Sequence, residues 1–368
     1  MKLVVPTEIY EGEKRVSITP DCVSSLKKMG FDVFIQKDAG LNSSYTDNDY
    51  KKNGAKISNK LGELYKNADL VVKVQRPTKK NKINECNFLK NCSLLTLLYE
   101  KKFKNEFNLI KKLKINVFAL EKMPRISRAQ SMDVLSSQSN LSGYKAVIDA
   151  ASEFNKAFPL MMTSAGTVAP AKVLVIGAGV AGLQAIATAK RLGSVVSSFD
   201  VRSSTKEQVE SLGAKFIEVK GEDSGETASG YAKEMTKSYK KKQNALLEET
   251  IKKMDIVITT ALVPGKPAPR LINKKMVESM KVGSIIVDLA SEFGGNCELV
   301  KHGETVIYKS TKIIGPLNLA ATVAQDSSRL FSKNVINFLM NSCESGKFKN
   351  FNWEDEVVKE TCVLKNYK

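Results

Sequence analysis

Three glycines at fixed spacing and an acid one strand further on carry the clearest chemistry in this sequence. They stand in Gly177-Ala178-Gly179-Val180-Ala181-Gly182, with Asp200 eighteen residues beyond Gly182. In a turn from strand to helix, the first glycine permits the turn, the second lets the backbone approach a pyrophosphate, and the third lets the helix pack closely on the sheet. Amide groups at the helix start then face the phosphates. A carboxylate at Asp200 accepts bonds from ribose hydroxyls and repels a 2′-phosphate, so the pattern asks for NAD rather than NADP. The spacing alone arises by chance in many turns; its surroundings give it meaning. Residues 173 to 176 are apolar and largely β-branched, Leu183, Ala187 and Ala189 continue at helical spacing, and 195 to 199 read as the next strand.

A second concentration of polar side chains lies at 124 to 143, PRISRAQSMDVLSSQSNLSG. It is too polar for a core strand and too uninterrupted for a flexible linker. Such a stretch between two α/β domains either lines a cleft or forms a solvated interdomain loop. The loops at 262 to 265 and 287 to 295 follow strands, at the edge where open α/β sheets bind ligands. Asp288, in the second loop, is either a ligand contact or a satisfied carboxylate at a strand end.

Oxidation of an alcohol or amine needs a general acid or base beside the nicotinamide. The one histidine, His302, falls near the start of the last expected strand and reads as a surface or turn residue. An acid or base role is left to Lys73, Asp133, Tyr231 or Asp288. The lack of histidine favours a reaction that moves hydride alone, and exchange between two nicotinamide rings held face to face and dry is such a reaction. The six cysteines form no Cys-x-x-Cys and have no histidine at metal spacing, so no metal site is expected and the thiols read as reduced.

The elements that position these groups follow from the apolar pattern. Short apolar runs at 3–5, 33–36, 70–74, 93–98 and 117–120 alternate with helical segments, one opening at Thr19-Pro20, where threonine can cap and proline can occupy the first turn. This alternation implies a parallel sheet covered on both faces. A helical run from 144 to 158 leads to a second set of strands at 173, 195, 216–219, 255–261, 285–289 and 306–309, the six that a full Rossmann sheet needs. The expected fold is therefore α/β, with two doubly wound parallel-sheet domains, the second a Rossmann dinucleotide-binding domain. The polar crossover from 220 to 243, with Tyr231 near its tip, reads as a mobile lid. An amphipathic helix at 324 to 340 comes after the Rossmann sheet is complete and returns to the first domain. The boundaries are then 1–140 plus 325–368 for the discontinuous N-terminal domain and 141–324 for the Rossmann domain. The tail from 342, with the lone Trp353, reads as a surface wrap or partner contact.

A net charge of +18 invites a nucleic-acid reading, but the lysines fall in short scattered runs with no interleaved aromatics for base stacking. A lysine-rich solvated surface is the simpler account. The N-terminus shows no signal-peptide pattern, and no stretch reaches the roughly 18 to 20 apolar residues that span a bilayer.

Taken together, Arg125-Ile126-Ser127-Arg128-Ala129-Gln130-Ser131-Met132-Asp133 with Ser136, GAGVAGLQAIATAKRLG followed by FDVR, GYAKEM, TTALVPGKPAP and VDLASEFGGNCE, in this order, resemble one family. It is that of the NAD(H)-binding component of proton-translocating NAD(P) transhydrogenases, related to the alanine dehydrogenases. The resemblance spans about residues 2 to 358 and is closest to the bacterial form in which this component is a separate soluble chain. It implies an Si-specific enzyme, active only with partner subunits, that passes hydride from NADH to NADP+. It implies that Arg125, Gln130, Asp133 and Ser136 surround the nicotinamide and its ribose, within a stretch that includes Ile126, Ser127, Arg128, Ser131 and Met132, with Gln130 bridging towards the NADP-bearing partner. Val180, Asp200, Val201 and Arg202 would hold the adenosine half, and Gly230, Tyr231, Gln243 and Leu262 would close over it. It further implies a cytoplasmic homodimer, docked on an NADP-binding beta subunit and held peripherally at the inner face of the plasma membrane by a membrane-spanning alpha component that moves protons. Alanine dehydrogenase is the alternative, since Arg15 and Lys73 match positions that bind its substrate; where those enzymes carry a catalytic histidine, this sequence reads Thr96-Leu97-Leu98-Tyr99. A non-catalytic NAD sensor would keep the glycine turn without needing Gln130 and Asp133.

Overall fold

Apolar runs with no polar face are driven to the inside of a sheet that is covered on both sides. Both halves of this chain are built that way. The computed structural model describes residues 1–219, 235–263 and 266–366. They fall into two units, Met1–Gln138 with Ala320–Lys368, and Ser139–Leu319; the boundaries read from the sequence were 140 and 324.

In the first unit a seven-stranded sheet runs from edge to edge as Cys362–Leu364, Asn116–Ala119, Ser93–Leu97, Leu70–Gln75, Lys2–Val5, Asp32–Gln36 and Lys56–Ser58. All neighbours are parallel except the first pair. The order steps outwards from Lys2–Val5 in both directions, which is the doubly wound arrangement. Successive side chains alternate between faces. Leu3, Val5, Val33, Ile35, Val72 and Val74 enter one core, while Val4, Val71, Leu94 and Val117 enter the other. The helix Ala324–Asn341 contributes Phe331, Val335, Phe338 and Leu339 to the first of these cores.

The tail corrects an expectation. It is not a surface wrap: Phe348, Phe351, Val357 and Val358 are buried in the same core. The Phe351 ring centroid lies 4.1 Å from that of Phe118 and 5.0 Å from that of Phe348, and Trp353 stacks on Phe118 at 5.9 Å. Cys362–Leu364 then adds an antiparallel edge strand. Polar residues separate these aromatics at neither helical nor strand spacing, so no period announced their burial. Thr19 also differs from expectation, since its side chain makes no cap on the helix Pro20–Lys28, although Pro20 occupies the first turn.

The second unit repeats the winding with strands Lys215–Ile217, Val195–Phe199, Lys172–Ile176, Ile256–Thr259, Ile285–Asp288, Thr311–Ile314 and Thr305–Tyr308. Val173, Val175, Ile256, Ile258, Ile285 and Val287 face one core, and Leu174, Ile176, Val257 and Ile286 the other. The sixth parallel strand is Thr311–Ile314, not 306–309. Thr305–Tyr308 is instead the antiparallel outer edge, joined to it by a reversal at Lys309 with φ 50°. Alternate exposure along Thr305–Tyr308 is what an edge strand tolerates and a central one does not.

Two helices begin elsewhere than expected. The run placed at 144–158 is the helix Val134–Glu153. The crossover read as a lid over 220–243 is helical from Lys237, in Lys237–Ile251, with Tyr239 and Gln243 buried, so its last residues are packed rather than mobile. The preceding stretch, 220–234, lies outside the described residues. Among the described residues no helix is long and apolar enough to cross a membrane. No group of three or more His, Cys, Asp or Glu among them could hold a metal ion.

If the tail is core, Phe351→Ala should destabilise the first unit by about 3–5 kcal/mol. A denaturant midpoint unchanged from wild type would return the tail to the surface.

Candidate dinucleotide site and a polar 3₁₀ turn

Lys172–Ile176 enters the glycine turn from the middle of the second unit's sheet, and each glycine does a different job. Gly177 sits at φ +100°, and a Cβ there would meet Thr260 Oγ1 at 2.6 Å. A Cβ at Gly182 would lie 1.8 Å from the Gly177 carbonyl oxygen, so the helix touches the turn without room for a methyl group. At Gly179 a Cβ would meet nothing within 4 Å. The middle glycine therefore borders open space, where a phosphate could approach the backbone. The helix Val180–Arg191 starts with no side-chain cap from Gly179, leaving its first amides for an anion. Val180 at its head is exposed.

Asp200 follows the strand Val195–Phe199 and is already heavily engaged. The Ala178 amide donates to Oδ2 at 2.7 Å, and the Arg202 amide to Oδ1 at 2.9 Å. Arg202 adds Nε to Oδ1 at 2.9 Å and NH2 to Oδ2 at 2.8 Å. Four donors fill the roughly four acceptor positions of a carboxylate. A ribose hydroxyl would thus reach Asp200 by displacing or sharing the guanidinium. Val201 between them packs on the second unit's core.

Asp288 resolves as the satisfied strand-end carboxylate. It is fully buried and accepts the amides of Ala290 at 2.9 Å, Asn296 at 2.7 Å and Cys297 at 2.8 Å. Burial pushes its carboxyl up, partly offset by these bonds and by Thr259. The loop it holds presents Asn296, whose Oδ1 accepts the Ala261 amide at 3.0 Å and whose Nδ2 donates to the carbonyls of Ala261 and Pro269, both at 2.8 Å. Asn296 thereby fixes the loop after Ile256–Thr259 that carries the exposed Leu262. Sequence reasoning passed over Asn296, and its one signal was the Gly-Gly-Asn run after a strand. Gly230 and Tyr231 lie outside the described residues, and Gln243 is buried in Lys237–Ile251.

In the first unit, the polar stretch is not a loop. Residues Ser127–Met132 form a 3₁₀ helix, and three residues per turn sort its side chains into three rows. Ile126, Ala129 and Met132 pack on the core. Ser127 and Gln130 are exposed in a second row that continues to Asp133. Arg128 and Ser131 make the third, with Arg125 exposed one turn before them. Asp133 caps the helix Val134–Glu153, accepting the Ser136 amide at 3.0 Å and the Ser136 hydroxyl at 2.5 Å. Arg128 NH1 donates to Asp355 Oδ2 at 2.7 Å and Asn341 Oδ1 at 2.9 Å, and the Asp355 bond raises the arginine's pKa.

Arg15 and Lys73 lie in the same unit, both buried against acids. Arg15 donates to Glu13 through Nε at 2.7 Å and NH2 at 2.6 Å, and to Gln138 Oε1 at 2.7 Å. Lys73 Nζ lies 3.0 Å from Glu8 and 2.6 Å from Glu85. One buried ammonium between two carboxylates leaves a net negative charge, and burial pushes Glu8 up to about 7 against the pull of Lys73. Thr96 is fully buried, and its hydroxyl reaches only the neighbouring Leu97 carbonyl, at 3.4 Å. His302 is exposed in a turn, its Nδ1 3.2 Å from Ser291 Oγ.

The model of the alanine dehydrogenase/PNT N-terminal domain matches residues 4–142, and that of the C-terminal domain matches 146–368. The chain is 51% identical over 372 residues to the first of the separate chains that make up the NAD(P) transhydrogenase alpha subunit of Rhodospirillum rubrum, covering 100% of this chain and 97% of that protein. It is similar to a crystal structure of transhydrogenase from Sinorhizobium meliloti, with TM-score 0.89 and 44% identity over 100% of this chain and 99% of the other. The alanine dehydrogenase of Mycolicibacterium smegmatis is more distant, 29% identical over 90% of this chain and 86% of its own length.

Because Glu8 holds a proton in the folded state that the unfolded chain releases near its ordinary value of 4.5, stability should fall as pH rises from there to about 7. Glu8→Gln should flatten this part of the stability curve, measured by denaturant unfolding across that range. A slope identical to wild type would mean that Glu8 is not the group responsible.

Proposed function

This chain belongs to the alanine dehydrogenase/PNT family, and from that premise we propose that it is the NAD(H)-binding subunit of a proton-translocating NAD(P) transhydrogenase. It holds NADH and delivers hydride, Si-specifically, to NADP+ carried by a partner beta subunit. In that step the hydride leaves C4 of one nicotinamide with its electron pair and joins C4 of the other. NADH and NADP+ become NAD+ and NADPH, and no proton is released.

The observation that carries this reading is what the polar turn offers. Gln130, which neither gains nor loses a proton near neutrality, is exposed in its middle, while Asp133 is bound as a helix cap. Such groups can orient a ring by hydrogen bonds, whereas amino-acid oxidation needs a base. The described residues offer no histidine for that, His302 being the sole one and lying in an exposed turn. Arg15 and Lys73, the carboxylate and carbonyl binders of the alanine dehydrogenase alternative, are occupied by Glu13, Glu8 and Glu85.

In this assignment Gly177, Gly179, Val180 and Gly182 hold the pyrophosphate, and Asp200, Val201 and Arg202 the adenosine ribose. Leu262 and Gln243 border the adenosine, along with Gly230 and Tyr231. Arg125, Ile126, Ser127, Arg128, Gln130, Ser131, Met132, Asp133 and Ser136 form the nicotinamide end, where Gln130 reaches towards the NADP-bearing partner. The subunit works as a homodimer on the cytoplasmic face of the membrane, and proton movement belongs to membrane-spanning partner subunits.

Mixing the pure chain with an NADP-binding beta subunit should give hydride exchange between an NADH analogue and NADP, while the chain alone barely turns over. Alanine-dependent reduction of NAD by the chain alone would instead establish the dehydrogenase. Gln130→Asn should slow exchange by about tenfold or more while changing the NADH dissociation constant little, since it would misplace the ring without releasing it. Equal losses in rate and affinity would remove Gln130 from that role. NADPH should bind at least about tenfold more weakly than NADH, and Asp200→Ala should narrow that gap by weakening NADH, given that a hydrogen bond to a charged group is worth about 1.5–3 kcal/mol. Equal affinities in the unmodified chain would mean that Asp200 does not read the ribose.

A further inference from the structure

Asn334, Asn337 and Asn341 occupy one stripe of the helix Ala324–Asn341, at spacings of three and four residues. All three side chains meet the polar 3₁₀ turn, directly or through the residues on its third row. Asn334 and Asn337 each donate from Nδ2 to the Ser131 carbonyl, at 2.8 Å and 3.0 Å. Asn341 accepts Arg128 NH1 at 2.9 Å. Asn334 also accepts the Ser137 hydroxyl at 2.7 Å, just past the Asp133 cap.

Helix packing does not explain these residues. Asparagine is a mediocre helix former because its amide competes for nearby backbone groups, and Phe331, Val335, Phe338 and Leu339 already supply the apolar face. The Asn341 amide nitrogen is buried without a hydrogen-bond partner, a cost that brings the helix itself no stability. What the stripe does satisfy is the end of a strained element. A six-residue 3₁₀ helix exceeds the usual three or four, and its last carbonyls lack internal donors.

We infer that Asn334, Asn337 and Asn341 are positioning residues that hold the turn in its 3₁₀ phase and so aim Gln130 and Asp133. At three residues per turn, side chains at 130 and 133 are eclipsed; wound as an α-helix they would diverge by about 60°. The buried row of Ile126, Ala129 and Met132 resists that rewinding only through packing. Two donors on one carbonyl and a guanidinium pinned at Arg128 fix the phase directionally. The inference rests on the hydride-transfer reading of Gln130, and one set of variants separates the two.

Asn337 is half-buried, so it can be replaced without emptying the core. Asn337→Leu removes the donor at similar volume, Asn337→Asp sets an acceptor against the Ser131 carbonyl, and Asn337→Gln keeps a donor. With the beta subunit present, the leucine variant should transfer hydride about fivefold more slowly and the aspartate variant more slowly still, with NADH dissociation constants within about twofold of wild type and most of the rate restored by glutamine. Amide hydrogen exchange at 127–133 should quicken in the first two variants alone. Unchanged exchange there would overturn the clamp. Faster exchange with wild-type transfer, or parallel losses of rate and NADH affinity, would overturn the positioning role. Absence of transfer in the wild-type mixture would sink the hydride reading and the positioning role with it, while the exchange data would still decide the clamp.

Discussion

A helix can offer bare amides to a phosphate only if it starts hard against the strand that feeds it, and the contact between Gly182 and the Gly177 carbonyl is that constraint in this chain. No methyl group fits between them. The close approach fixes where Val180–Arg191 begins, and the amide of Ala178, inside the same turn, donates to Asp200 at the end of the neighbouring strand. One backbone contact thereby relates the phosphate end of the unit to its ribose end. The second strand-end acid, Asp288, does the same for a different loop by collecting three backbone amides. Carboxylates at the carboxyl ends of parallel strands are thus used here to organise backbone as much as to meet a ligand. The orphan donors of loops at that edge need acceptors, and buried water is a poorer one.

The glycine turn was legible because its cause is local. Strand, turn and helix are contiguous, and each residue type is demanded by geometry within a few positions. The central strands were legible for a similar reason, since a run such as Val173 to Ile176 has no polar face to expose. Elements whose cause is distant were not. Phe348, Phe351 and Trp353 become core only because Phe118 lies under them, more than 200 residues earlier. Thr305–Tyr308 reads as a strand in any register, and only its pairing with Thr311–Ile314 makes it an edge. Residues 127–132 carry three kinds of side chain in rotation, apolar, polar and clamped. That is a period of three, which a search at periods of two and 3.6 records as no pattern at all.

Charge tells a comparable story about inside and outside. Among the described residues the buried acids Glu13, Glu85, Asp200, Asp255 and Asp288 outnumber the buried bases Arg15, Lys73 and Arg76. Each acid in the cores is met by a base or by several amides, as burial requires. Acids spent in this way no longer offset lysines at the surface, so the outward field is more positive than the formal +18 suggests. A dianionic dinucleotide gains a faster encounter from such a field, which falls with salt and carries no sequence information about nucleic acids.

The discontinuity of the first unit has a physical use. Had the chain ended its first sheet and never returned, the 3₁₀ turn would rest on Ala129 and Met132 alone, and apolar packing constrains distance more than rotation. Hydrogen bonds are directional, so the helix Ala324–Asn341 can supply what the apolar row cannot. Its other face must then be anchored independently, and Phe331, Phe338 and the tail aromatics do this within the same core. Ser328 and Ser332 extend the anchorage to the N-terminal segment, accepting the amides of Val16 at 2.9 Å and Thr19 at 2.7 Å. The helix is therefore held from the segment that carries Arg15 and itself holds the segment that carries Gln130. A shift of that helix by even one turn would release both, which is why the returning segment belongs to the site as much as to the fold.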